Sequence, residues 1–243
     1  MELAGRMAWA GNRMLRVLAG ILILMMLFFG GWSLWENFQL GREAFSKGRL
    51  LQYKPDTDGG EETYSLKELA KLNPDTRAWL TIEGTHIDYP VVQGEDDMEY
   101  INTNVFGEFA LTGSIFLSCL NSPDFSDPYN LIYGHHMDNG GMFGDVMEFL
   151  DPEYFEEHSE GTLILPGTRF RLVLFACMET DAYDPLVYHP GAEFQNEVLL
   201  EKLRENASVY REIGVCASDQ IVGMSTCMDA QTDGRVVLFG KLE

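Results

Sequence analysis

The chain has 243 residues, 46% of them apolar, and a formal net charge of −21. That length allows one large domain plus accessories, with enough apolar material for a core. An acid excess of this size excludes a nucleic-acid-binding role, which needs a basic surface; the charge mainly solvates, and where clustered it draws cations or basic partners.

Residues 17–35 (VLAGILILMMLFFGGWSLW) carry no charge and match the roughly 20 residues that cross a bilayer as a helix. Trp32 and Trp35 stand where an interfacial aromatic belt belongs. A cleaved signal peptide would have a shorter apolar core and a small-residue cleavage site. The run therefore reads as an uncleaved signal anchor. Arg6, Arg13 and Arg16 precede it, while Arg42, Lys47 and Arg49 follow. The bias favours residues 1–16 as a cytoplasmic tail and gives a single-pass protein of the cell membrane with the rest of the chain on the extracellular face.

Residues 36–64 read as a juxtamembrane helix (36–51, with Phe38, Phe45 and Leu50 as apolar points) and a linker (53–63) rich in Asp, Glu, Gly and Pro. Ser65 opens SLKE, a capping-box pattern, and its helix is expected to end near Leu72, before Asn73-Pro74. Short β signals follow at 79–82, 86–92, 114–117, 130–134, 162–165, 169–178, 220–227 and 235–242, with Gly, Pro, Asn and Asp between them. The pattern is that of a barrel or sandwich. One helical stretch, 192–210, interrupts it, with Phe194, Val198, Leu199 and Leu203 near one face.

The four cysteines, Cys119, Cys177, Cys216 and Cys227, form no C-x-x-C pair, which argues against a zinc site. Cys227 ends one strand of the last hairpin and Arg235 begins the other. Both lie at one rim, where a guanidinium favours the thiolate and stabilises an oxyanion. Taken alone, the pair reads more simply as an ordinary edge arginine beside a buried cysteine. A thiol attacking an amide also needs an acid for the leaving amine, usually histidine. His135 and His136 follow an apolar run and precede Gly140-Gly141, which suggests a tight loop. Successive strand residues point to opposite faces, so the doublet is a poor metal site. His86, His158 and His189 read as surface or packing residues.

YGHHM (133–137), MFG (142–144), STC (225–227) and Arg235 together resemble the sortases. NPDTRAWLTIEGTHIDYPVVQG (73–94), GSIFL (113–117) and LIYGHHMDNGGMFGDV (131–146) narrow the resemblance to class B. It runs from about Ser65 to the C-terminus, and implies that 65–243 is a mainly β catalytic domain. The fold implied is a closed eight-stranded sortase-type β-barrel, with an N-terminal helix and a helix between the sixth and seventh strands.

The resemblance implies a cysteine transpeptidase without metal or cofactor. By motif position Cys227 is the nucleophile that forms a thioacyl enzyme, His135 the general acid and then base, and Arg235 the oxyanion stabiliser. Asp97, Ile101, Tyr133 and Ser225 match substrate-contact positions. The implied partners are secreted proteins bearing a C-terminal NPxT-like sorting signal, a peptidoglycan precursor or cross-bridge amine, and the membrane through residues 17–35. Some homologues polymerise pilins instead. The other classes weighed are a papain-like cysteine peptidase, which places its cysteine before its histidine, and a non-catalytic membrane-anchored wall-binding β-domain. Two departures stand out: Asp97 replaces a common Asn, and Ser118-Cys119 follows GSIFL where an aspartate is common. Cys119 reads as a packing residue or a redox partner. NPDT at 73–76 resembles a cleavable signal but reads as a structural cap.

Overall fold

The computed structural model describes residues 2–44, 47–55, 62–191, 195–228 and 233–243. The chain divides into two units, Met1–Arg42 and Glu43–Glu243. Helix α1 (Glu2–Ala44) is continuous. Its Gly11–Trp35 stretch has a mean hydropathy of 2.2 and is wholly unburied, long and apolar enough to cross a membrane. The juxtamembrane helix expected at 36–51 is not a separate element: no proline breaks the chain there, so α1 carries on to Ala44, and α2 (Lys47–Leu50) is a single turn. Residues 45–46, and 56–61 of the expected linker, lie outside the described residues.

Helix α3 (Glu62–Leu72) starts upstream of Ser65, which therefore lies inside it and is not its cap. The helix ends as expected: Asn73 N–H donates to Leu69 O at 2.8 Å, and Asn73 Oδ1 then accepts from Asp75 N at 2.9 Å.

The strands are β1 (Thr76–Ile82), β2 (Asp88–Val92), β3 (Ile115–Leu117), β4 (Tyr129–Tyr133), β5 (Glu160–Leu165), β6 (Thr168–Asp181), β7 (Val209–Tyr210), β8 (Ile221–Cys227) and β9 (Gly234–Leu242). Eight of them close a ring in the order β5-β1-β2-β3-β4-β8-β9-β6, with β6 returning to β5 and the two-residue β7 added beside β6. Closure leaves the ring without open edges.

Many of these strands are apolar on both faces, and the packing shows why. Leu80, Leu117, Ile132, Leu163, Val236 and Leu238 point into the barrel. Their neighbours Trp79, Phe116 and Ile164 point outward under Leu66 and Leu69 of α3. On the other flank Leu131, Val237 and Phe239 pack beneath Leu199, Leu200 and Leu203 of α6 (Gln195–Asn206). A strand covered on both sides has no polar face to alternate with.

Helix α6 is shorter than the expected 192–210: residues 192–194 lie outside the described residues, and the end of the stretch leaves the helix to form β7. Val198 is half exposed, and Leu200 takes the buried position instead. Two short helices were not expected, α4 (Pro152–Glu157) and α5 (Pro185–Tyr188). Each is opened by an aspartate whose side chain accepts backbone N–H groups, Asp151 and Asp184, with proline next. That pairing is a readable start signal.

Candidate active site

The hairpin β8–β9 runs in unbroken antiparallel register from Ile221↔Lys241 to Cys227↔Arg235. The last pair puts residues Cys227 and Arg235 directly opposite each other on the two strands. Strand β4 lies parallel to β8 on the other side, with Tyr133 opposite Ser225. Gly134 N–H donates to Ser225 O at 3.1 Å, and Thr226 Oγ1 donates to Gly134 O at 3.0 Å. His135, one residue on, therefore emerges at the same rim.

The loop after His135 is closed by its own backbone and by β2. Phe143 N–H donates to His135 O at 3.0 Å and Gly140 N–H to Met137 O at 2.9 Å. Met142 N–H donates to Tyr89 Oη at 3.0 Å. Asp145 accepts from His86 N–H at 2.7 Å and lies 3.0 Å from His86 Nδ1, so His86 ties down this loop through contacts to one carboxylate, a role beyond packing.

His135 Nε2 is 2.8 Å from the Ile101 carbonyl oxygen. A carbonyl can only accept, so Nε2 carries a proton, and whenever the ring is neutral its lone pair is on Nδ1. His136 diverges: its Nε2 is 3.4 Å from Asp138, and its buried Nδ1 has no partner. Among the described residues no three His, Cys, Asp or Glu side chains gather as a metal would require.

All seven residues singled out from the sequence line one cleft of about 300 Å³: Asp97, Ile101, Tyr133, His135, Ser225, Cys227 and Arg235. Met98, Phe116, Tyr188 and Thr226, which sequence reasoning missed, also line it, with Gly134 and Ala182. Tyr188 stacks on Tyr133 with ring centroids 6.3 Å apart, and its hydroxyl is 2.9 Å from Ser225 Oγ. Burial pushes its pKa up to about 12, so it remains a neutral hydroxyl. Burial, with Asp97 adding, pushes Tyr133 higher still. Tyr188 sits on α5, and the Asp184-Pro185 signal was the clue to that helix.

The two departures at 97 and 118 meet in space. Asp97 accepts from Ser118 Oγ at 3.2 Å and from Cys119 N–H at 2.6 Å. The carboxylate thus stands on residue 97 and its hydroxyl partner on 118. Burial and the Asp97 charge push the Cys119 thiol up, which keeps it protonated and poorly suited to redox exchange. All four cysteines are free thiols.

No family model matches the chain. It is 32% identical over 236 residues to a sortase B of Listeria monocytogenes, an alignment covering 91% of this chain and 94% of that one. The chain belongs to the class B sortases. Among solved structures, a Streptococcus pyogenes class B sortase involved in pilus biogenesis shares 39% identity at a TM-score of 0.66, covering 73% of this chain and 97% of that one. A Staphylococcus aureus sortase B in a substrate complex shares 25% identity at a TM-score of 0.69, covering 74% and 85%. The chain is therefore a sortase-type cysteine transpeptidase, and the non-catalytic wall-binding domain and the papain-like peptidase are set aside.

Proposed function

We propose that this class B sortase cleaves an NPxT-like sorting signal near the C-terminus of secreted proteins and joins the new end to a peptidoglycan amine. The Cys227 thiol passes its proton to Nδ1 of His135, and the resulting thiolate adds to the carbonyl carbon of the scissile amide. The oxyanion that forms is stabilised by Arg235. The C–N bond breaks as His135 gives a proton to the departing amine, leaving a thioacyl enzyme. The acceptor amine then attacks the thioester, His135 takes its proton, and the sulfur leaves as thiolate. Tyr133, Ser225, Asp97 and Ile101 hold the signal peptide. Residues 17–35 anchor the protein, with 1–16 cytoplasmic and 65–243 on the extracellular face.

The observation that carries this reading is the shared cleft, with Cys227 directly opposite Arg235 and His135 on the same rim. Incubation of the full chain with an NPxT peptide should give a covalent adduct on Cys227, seen by intact mass, and a ligated product when an amine is added. Cys227→Ala should abolish cleavage and ligation together; release of the peptide fragment by that variant would refute the covalent route.

A second reading is pilin polymerisation, with a pilin lysine as the acceptor. It is favoured by the 39% identity to the pilus-biogenesis enzyme. Competition between a peptidoglycan-type amine and a lysine-bearing pilin peptide distinguishes the two.

A further inference from the structure

Asn73 to Thr76 form the turn that ends α3, and nothing in the chemistry above uses them. Yet the turn reaches the cleft through one bonded chain. Tyr100 is 4% exposed. Its hydroxyl accepts from Asn73 Nδ2 at 2.9 Å and donates to Asp75 Oδ2 at 2.8 Å. Asn73 Nδ2 also donates to Val105 O at 2.9 Å. The stretch from Tyr100 to Val105 is thus pinned at both ends to the turn, and Ile101 lies within it.

On the opposite side, Ser114 N–H donates to Tyr100 O at 3.0 Å. Gly113 lies against the same carbonyls: a Cβ at this position would meet Ile101 O at 2.2 Å and Tyr100 O at 2.6 Å. Its φ of +58° also favours glycine. We propose that the 73–76 turn, acting through Tyr100 and backed by Gly113, is a positioning device that holds the Ile101 carbonyl against His135 Nε2 and so leaves Nδ1 to exchange protons. This rests on His135 being the acid and base of the reaction. Asn73, Asp75, Tyr100 and Gly113 are positioning residues, since they act through the carbonyl. If the carbonyl withdraws, the ring is free to turn and to populate both tautomers.

The test uses the full chain in detergent micelles with ¹⁵N-labelled histidine, at a pH where imidazole is neutral. Ring nitrogen shifts report which nitrogen bears the proton, and His135→Ala assigns the signal. In the parent protein His135 should be the Nε2–H tautomer. Gly113→Ala and Tyr100→Phe should convert it to a mixture. The turnover number should fall about 10²-fold in Gly113→Ala, the scale of a small misplacement at a reacting group, and less in Tyr100→Phe. Gly107→Ala is the control: its φ of +77° imposes similar backbone strain, but no atom lies within 4 Å of the added Cβ. It should alter neither tautomer nor turnover. An unchanged His135 signal in Tyr100→Phe overturns the proposal, and that variant decides alone if Gly113→Ala does not fold. Retained transpeptidation in His135→Ala would instead refute the acid–base assignment, which the tautomer measurement does not depend on.

Discussion

The two walls of the cleft are built on different principles. One is the β8–β9 hairpin, where an unbroken ladder fixes Cys227 opposite Arg235 and both faces are packed. The other is the connection between β2 and β3, residues 93–114, which has one isolated bridge, Thr103↔Phe109, and is held by side-chain bonds to backbone. The first draws its order from burial of apolar area, which is non-directional and large. The second buries Tyr100 and Val105 but otherwise draws its order from directional bonds worth about 1 kcal/mol each. Damage to the first should appear as lost stability, and damage to the second as lost alignment in a protein that still folds.

The sharpest way to break that contrast is Phe239→Ala. Phe239 is fully buried beneath α6; its truncation should cost about 3–5 kcal/mol in denaturant unfolding, with little change in kcat/KM of the folded fraction. Arg235→Ala should do the reverse at the rim of the same hairpin. Half-buried, it should leave the melting temperature nearly unchanged while kcat/KM for the signal peptide falls by about 10²–10³, as for loss of an oxyanion donor. Equal losses of stability and activity in both variants would erase the distinction between core and rim.

Smaller effects sharpen it. Trp79 Nε1 donates to Asp88 Oδ1 at 2.9 Å, and Lys54 Nζ lies 2.7 Å from Asp88 Oδ2. Asp88→Ala leaves a buried indole N–H unpaired and should cost about 1–3 kcal/mol. Burial works to raise the Asp88 carboxyl, but the Lys54 and Trp79 bonds outweigh it and hold the group below its ordinary value. Its contribution is therefore full above the usual carboxylate range of about 4 and is lost as pH falls through the lowered value. Melting temperature measured from neutral pH into acid should drop more steeply in the parent than in Asp88→Asn. The smallest effect is expected for His136→Ala, whose side chain does not line the cleft; its activity should stay within a few-fold of the parent, and a loss as deep as that of His135→Ala would overturn the choice within the doublet.

The same contrast explains what was legible in the sequence. All eight barrel strands could be read because each carries an apolar run, as short as three residues in β3, and turn residues lie between them. Cys227 and Arg235 could be paired because a hairpin is a local object. His135 needed the family resemblance, since nothing local says that β4 lies beside β8. The Ile101 carbonyl was beyond reach altogether, because a backbone oxygen leaves no mark on residue type. Ser65 misled because capping-box spacing also occurs one turn into a helix. Residues 36–51 misled because a change in polarity does not by itself end a helix. The helices carrying Tyr154 and Tyr188 were missed although Asp151-Pro152 and Asp184-Pro185 announce them.

The parallel pairing of β4 with β8 has a consequence for how the enzyme comes into being. Tyr129 registers with Ile221 and Tyr133 with Ser225, so imidazole and sulfur meet only across a very long loop closure. Contacts so distant in sequence form late and slowly. A ribosome delivers the histidine well before its partner strand β8. On the roles proposed for His135, Cys227 and Arg235, the nascent chain therefore holds no assembled site until β8 has paired with both β4 and β9.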